Sequence, residues 1–124
     1  MAKTILIVDD ENETQRLLKL IFERAKYQVL VAPSSASATK MILKHQPDVV
    51  IVDDLMPGVS GLELCHWVTN NAATRHIPVI ILSAGTQPID ADDLAQVGAF
   101  ASLRKPYEPR KLLATVESSL AAGV

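Results

Sequence analysis

Short apolar runs alternate with amphipathic stretches along the whole chain. The runs at 4–9, 48–53 and 77–82 are continuous, which is typical of parallel strands buried on both faces. Residues 27–32 alternate between apolar and polar positions, and 101–105 is the weakest run. The pattern therefore predicts five strands, with 27–32 and 101–105 at the edges of the sheet.

The stretches between these runs carry apolar residues at helical spacing and predict five helices. The short acidic stretch 90–97 is predicted as the fourth helix, with acidic residues in its first turn and Gly98 at its end. Strands that alternate with helices imply right-handed crossover units. We therefore predict a doubly wound parallel α/β fold, in one domain that occupies residues 1–124. The apolar stripes of the other four helices are predicted to comprise Leu17, Leu18, Ile21 and Ala25; Ala38, Met41 and Ile42; Leu62, Cys65 and Val68; and Leu112, Leu113, Val116 and Leu120.

Composition narrows the class of protein. A hydrophobic content of 48% with 21% charged residues is that of a globular domain and excludes disorder. The net charge of −2 gives no long-range attraction to nucleic acid or anionic membrane. No apolar run approaches the roughly 20 residues that a membrane-spanning helix needs. The single cysteine, Cys65, suits a reducing cytoplasm and is predicted to be a buried core residue.

Polar and charged residues follow the ends of four predicted strands. Asp9 and Asp10 follow the first strand, Asp53 the third, Ser83 the fourth and Lys105 the fifth. Because the carboxyl ends of parallel strands open on the same edge of a sheet, we expect one site. Three carboxylates beside one ammonium need protons or a cation to remain close together. A set of oxygen ligands favours Mg²⁺.

The same residues predict phosphoryl transfer to a carboxylate. A carboxylate at a metal site can act as a nucleophile toward a phosphoryl group and form an acyl phosphate. Such transfer depends mainly on positioning and on electrostatic stabilisation of the phosphoryl oxygens. One phosphoryl oxygen would contact the cation and a second would contact Lys105. The third would contact the Ser83 hydroxyl and neighbouring backbone N–H groups.

These motifs resemble the receiver domain of two-component response regulators, over essentially the whole chain. That family has an acidic pair after the first strand, matched by Asp9-Asp10. Its phosphoacceptor aspartate lies four residues before a proline and eight before a glycine. Asp53 meets both spacings through Pro57 and Gly61, which favours Asp53 over Asp54 as the acceptor. Three further pairs of consecutive residues in the family's pattern are present here as Ser83-Ala84, Gly98-Ala99 and Lys105-Pro106.

The resemblance implies a fold and a metal site. The fold would be flavodoxin-like with strand order 2-1-3-4-5, and the Lys105–Pro106 peptide bond would be cis. The implied Mg²⁺ ligands are Asp10, Asp53 and the Leu55 backbone carbonyl directly, and Asp9 through water.

The resemblance also implies partners. A sensor histidine kinase or histidine phosphotransfer protein would donate the phosphoryl group to Asp53, and a downstream protein or output domain would respond. The domain would catalyse only its own phosphorylation and slow self-dephosphorylation, so we expect signalling rather than an enzyme with a separate substrate. Whether the domain acts alone or within a longer regulator stays open, as do its kinase and pathway.

Two positions modify this picture. Receivers usually have Tyr or Phe three residues before the lysine, and here that residue is Ser102. The serine at this position either has no effect on function or makes the surface change on phosphorylation smaller or different. In receivers the residues at positions 55 and 85 border the path of hydrolytic water. Leu55 and Gly85 cannot orient that water, which predicts a long-lived acyl phosphate.

Other functions fit less well. A receiver that works without phosphorylation is disfavoured by the intact set of acidic, hydroxyl and lysine residues. A phosphatase of the haloacid-dehalogenase type would need an aspartate where the chain has Leu55. A flavodoxin-like flavin carrier would need a phosphate-binding loop at residues 9–11, which are all acidic. His45, His66 and His76 lack spaced metal partners, which favours ordinary polar roles.

Overall fold

The computed structural model describes residues 2–84 and 89–122. Within these ranges, five strands and five helices alternate along the chain. The strands are β1 (Thr4–Val8), β2 (Gln28–Ala32), β3 (Val49–Asp53), β4 (Val79–Ser83) and β5 (Ala101–Arg104). The helices are α1 (Asn12–Arg24), α2 (Ser35–His45), α3 (Gly61–Thr69), α4 (Ala91–Val97) and α5 (Pro109–Ala122).

The strands form one parallel sheet in the order β2-β1-β3-β4-β5. The predicted strand order is therefore confirmed, as are the two predicted edge strands. β4 begins at Val79 and not at 77 as predicted. The Ile77 N–H is bonded to the Thr74 carbonyl of the preceding turn at 2.9 Å, and Pro78 has no N–H to donate to a neighbouring strand.

The core lies in two layers, one on each face of the sheet. Successive residues of β1 alternate between them, because side chains along a strand point to opposite faces. Leu6 and Val8 pack in the layer covered by α2 and α3. Ile5 and Ile7 pack in the layer covered by α1 and α5. A sheet covered by helices on both faces is the predicted doubly wound architecture.

The buried face of α1 differs from the predicted stripe. Leu17 is 52% exposed and Ala25 is exposed, so the prediction that both face the core was wrong. The buried residues of α1 are Leu18 and Phe22. Phe22 meets Tyr27 edge to face, with ring centroids 6.0 Å apart. This contact turns the Phe22 row of the helix toward the sheet, and Leu17 lies on a different row.

The other predicted stripes lie on the buried sides of their helices. Cys65 is a buried free cysteine, as predicted. Asp90 caps the N-terminus of α4, where its side chain accepts a hydrogen bond from the Asp92 N–H at 2.8 Å. Gly98 ends α4 in the left-handed conformation at φ 74°. In the described part of the chain, none of the helices combines the length and the apolar character needed to cross a membrane.

Candidate functional site

The carboxyl edge of the sheet brings the predicted site residues together. Val8 of β1 pairs with Val52 of β3, so Asp9 follows its strand at the level of Asp53. Ser83 of β4 pairs with Arg104 of β5, so Lys105 comes directly after that level. The Lys105 N–H also donates to the Ser83 carbonyl at 2.9 Å. Parallel register alone therefore places residues far apart in sequence at one edge.

Asp53 is 3% exposed and forms an ion pair with Lys105. The Lys105 Nζ donates to the Asp53 Oδ2 at 2.9 Å. The Leu55 N–H donates to the Asp53 Oδ1 at 3.0 Å. Both oxygens of Asp53 are thus oriented by donors, one of them charged, and charge-assisted hydrogen bonds are the stronger kind. The Lys105–Pro106 peptide bond is cis, as the resemblance implied.

Asp54 faces a different environment from its neighbour. Its Oδ1 accepts a long hydrogen bond of 3.4 Å from the Leu62 N–H at the start of α3. Burial raises the pKa of Asp54, and the charge of Asp53 adds to that rise. Gly61 packs on this acceptor loop so closely that a Cβ there would lie 2.9 Å from the Asp54 Cα. The glycine therefore lets α3 start directly against the loop that carries Asp53.

Asp9 is buried, and only one of its two carboxylate oxygens accepts a hydrogen bond in the described structure. It is 1% exposed, and its Oδ1 accepts from the Glu11 N–H at 2.8 Å. Its buried Oδ2 has no hydrogen-bond partner among the residues that the structure describes. Burial and, to a lesser extent, the charge of Asp53 raise the pKa of Asp9 to about 6, although the Glu11 N–H and Lys105 oppose the rise. A buried oxygen without a partner is costly and calls for a proton or a cation.

Three carboxylates converge at this point of the edge. One oxygen from each of Asp9, Glu11 and Asp53 lies within 4.8 Å of the other two. This is an all-oxygen donor set beside an unpartnered buried oxygen, so the residues fit a hard cation such as Mg²⁺. Asp10, one of the predicted direct ligands, is exposed and is not part of that group. Glu11 was not among the predicted site residues, although it follows the acidic pair directly.

The Ser83 hydroxyl is directed to a backbone carbonyl of the neighbouring strand β5. Ser83 is fully buried, and its Oγ contacts the Leu103 carbonyl at 3.5 Å. Leu55, whose carbonyl was predicted to bind the cation, has a side chain that is 54% exposed. Gly85, the other position predicted to border the water path, lies outside the described residues.

A cleft of about 820 Å³ lies beside β5, and Ser102, Lys105 and Tyr107 are among the residues that line it. Ser102 is half-buried. Tyr107 packs against the core layer under α1 and α5. Burial raises its pKa, with smaller contributions from the charges of Asp9 and Asp53. Tyr107 therefore lines the same cleft as Lys105, which its position in the sequence did not suggest.

Residues 5–117 match the response regulator receiver domain. The chain belongs to this family. Receiver domains are the phosphorylated domains of two-component systems, and the family is generally phosphorylated on an aspartate with Mg²⁺.

Relatives in sequence are response regulators of two lengths. The chain is 34% identical over 120 residues to the phosphate regulon transcriptional regulatory protein PhoB of Pseudomonas aeruginosa, covering 97% of this chain and 52% of that protein. It is 31% identical over 120 residues to the polar-differentiation response regulator DivK of Brucella ovis, covering 97% and 98%. The chain thus spans about half the length of the first relative and nearly all of the second.

Solved structures agree with the fold. A response regulator receiver domain protein from Clostridium thermocellum superposes with a TM-score of 0.89 at 30% identity, covering 97% of this chain and 95% of that one. The chemotaxis response regulator CheY4 of Vibrio cholerae superposes with a TM-score of 0.87 at 28% identity, covering 97% and 100%. Both similarities extend over the whole sheet and its helices, so the flavodoxin-like receiver fold predicted from the sequence is confirmed.

Proposed function

We propose that Asp53 is the phosphoacceptor of this receiver domain and that residues 1–124 form a single such domain. The observation that carries the proposal is the Lys105–Asp53 ion pair of 2.9 Å beside the unpartnered buried oxygen of Asp9. Asp53 is the carboxylate that faces both the lysine and the acidic group. Asp54, its neighbour, is turned toward the start of α3.

The proposed reaction transfers a phosphoryl group from a phosphohistidine to Asp53. An oxygen of Asp53 attacks phosphorus, the P–N bond breaks, and the imidazole leaves with the electron pair and takes up a proton. The product is an acyl phosphate on Asp53. Lys105 neutralises charge on the carboxylate before transfer and on a phosphoryl oxygen afterwards.

The remaining residues orient the acceptor and respond to the product. The Leu55 N–H holds the Asp53 Oδ1 at 3.0 Å, which fixes the carboxylate for in-line attack. The Ser83 hydroxyl would leave the Leu103 carbonyl to donate to a phosphoryl oxygen, and this rotation couples phosphorylation to β4 and β5.

The proposed cofactor is Mg²⁺, held by the acidic edge of the sheet. When bound, Mg²⁺ supplies positive charge that offsets the carboxylates and the phosphoryl oxygens. The predicted ligands Asp10, Asp53 and the Leu55 carbonyl, with Asp9 through water, remain part of the proposal. The buried Oδ2 of Asp9 supports the presence of a cation at this edge, because nothing else in the described structure satisfies it.

The proposed partners follow from this chemistry. The phosphoryl donor is a sensor histidine kinase or a histidine phosphotransfer protein in the cytoplasm. The output is a contact with a downstream protein or with an output domain, and not direct binding to nucleic acid or to a membrane. Chemistry is limited to the domain's own phosphorylation and slow self-dephosphorylation, with no separate substrate.

Mass spectrometry after incubation with acetyl phosphate and Mg²⁺ tests the proposal. We expect one phosphoryl group on Asp53, no labelling of Asp53→Ala, and normal labelling of the matched control Asp54→Ala. We also expect EDTA to abolish labelling. Undiminished labelling of Asp53→Ala would contradict the assignment of the acceptor, and labelling that survives EDTA would contradict the requirement for the cation.

A further inference from the structure

Glu11 occupies the N-cap position of α1, but its side chain does not cap the helix. The residue is the N-cap of α1, with φ −96° and ψ 124°, yet its side chain makes no capping hydrogen bond. N-cap positions favour Ser, Thr, Asp and Asn, whose short side chains reach the first free N–H groups. The Glu11 carboxylate is therefore not used by the helix that it begins.

That carboxylate is turned toward the acidic edge of the sheet. One of its oxygens lies within 4.8 Å of an oxygen of Asp9 and of an oxygen of Asp53. Three carboxylates in such proximity repel one another, because like charges disfavour ionisation. Glu11 is exposed, so water screens part of this repulsion, and a cation at the edge would turn the remaining repulsion into attraction.

A second, independent observation points to a cation at this edge. Asp9 is 1% exposed, and its Oδ2 has no partner among the described residues. The other oxygen, Oδ1, is already occupied by the Glu11 N–H at 2.8 Å. Asp9 belongs to the same group of carboxylates, and because Lys105 is paired with Asp53, the Asp9 Oδ2 still lacks a donor or a positive centre.

The backbone around Glu11 is held in place. The Gln15 Nε2 donates to the Asp9 carbonyl at 2.6 Å. The Gln15 N–H donates to the Glu11 carbonyl at 3.0 Å. The turn between β1 and α1 is thus tied to the first turn of the helix at two points. A rigid turn keeps the Glu11 carboxylate near Asp9 with little loss of entropy on binding.

We propose that the Glu11 carboxylate adds one oxygen to the residues that hold the divalent cation, which otherwise remain those of the proposed function, with Asp9 acting through water. The inference rests on the proposed function, which places Mg²⁺ at this edge, and adds to it a ligand that the sequence motifs did not assign. Glu11 thereby raises the affinity for the cation at the expense of a favourable cap on α1.

Calorimetric titration of the full chain with Mg²⁺ tests the inference. We expect Glu11→Gln to raise the dissociation constant by about tenfold or more, the range seen when residues that support a metal site are removed. The matched control is Glu13→Gln, an exposed glutamate in the first turn of the same helix. It should change the constant by less than about threefold, because salt screens an exposed charge.

A second variant separates the metal role from a structural one. Glu11→Ser introduces a favoured capping residue and removes a repelling charge. We expect its melting temperature in EDTA to rise above that of the wild type while its Mg²⁺ affinity falls. A lower melting temperature would show that the carboxylate supports the fold and would overturn the inference.

The remaining outcomes distinguish the inference from the proposed function. If the wild type binds Mg²⁺ and is phosphorylated on Asp53, equal weakening of Mg²⁺ binding by Glu11→Gln and Glu13→Gln would overturn the inference alone. A wild type that binds no Mg²⁺ would overturn both the inference and the proposed cofactor.

Discussion

Replacement of Asp9 by asparagine should stabilise the cation-free protein at neutral pH. Asp9 is buried, and its Oδ2 has no partner in the described structure. Burial, followed by the charge of Asp53, raises its pKa from 3.8 to about 6. Asparagine has nearly the same shape, retains an acceptor for the Glu11 N–H, and carries no charge that must be taken out of water.

The sign of the pH dependence follows from proton binding. Well below pH 3.8 the Asp9 carboxyl is protonated in both the folded and the unfolded protein. Between pH 3.8 and about 6, the folded state holds the proton more tightly, so the free energy of unfolding falls as the pH rises. The shift is roughly two pH units, and at about 1.4 kcal/mol per unit the loss amounts to about 3 kcal/mol at pH 7. A typical domain has only about 5–15 kcal/mol of total stability.

Urea unfolding in EDTA at several pH values between 4 and 7 measures this effect. We expect Asp9→Asn and the wild type to be nearly equally stable at pH 4. The variant should be more stable by as much as about 3 kcal/mol at pH 7. The control Asp10→Asn changes an exposed neighbour and should shift stability by less than about 0.5 kcal/mol. A difference between Asp9→Asn and the wild type that does not vary with pH, or a variant less stable at pH 7, would refute the reasoning.

Three further predictions concern the phosphorylated state and the acceptor loop. The acyl phosphate should decay more slowly in the wild type than in Leu55→Asn, because leucine cannot orient water and a positioned group contributes about 10²–10⁴-fold; equal rates of phosphate release would contradict this. Because Ser102 provides no ring, hydrogen exchange in α4 and α5 should change less on phosphorylation than exchange near the acceptor, and a large cooperative change across both helices would count against the idea. Gly61→Ala should lower the free energy of unfolding by about 1–3 kcal/mol, because the new Cβ would lie 2.9 Å from the loop backbone. In the control Gly58→Ala the Cβ meets nothing within 4 Å, and the loss from its φ of +82° should be no more than about 2 kcal/mol. A loss from Gly61→Ala no larger than that of the control would argue against a clash.

The sequence determined the sheet and which strand ends meet at the candidate site. Continuous apolar runs identified the buried strands, and the alternation with helices required parallel pairing. Parallel pairing in turn requires that Asp9, Asp53 and Lys105 end at one edge, whatever the details of packing. The spacing of Asp53 to Pro57 and Gly61 distinguished it from Asp54, and the ion pair with Lys105 agrees with that choice.

Only the tertiary structure decided which side chains at that edge are buried. Asp9 and Asp10 are adjacent and chemically identical, yet one is buried and the other exposed. Glu11 stands at the N-cap of α1 without a capping side-chain hydrogen bond, and its carboxylate lies near those of Asp9 and Asp53. These directions depend on the dihedral angles of one turn and on the rotation of α1 over the sheet. That rotation follows from long-range packing, such as the inclusion of Phe22 in one core layer with Ile80 and Leu112, and such contacts leave no periodic signal in the sequence.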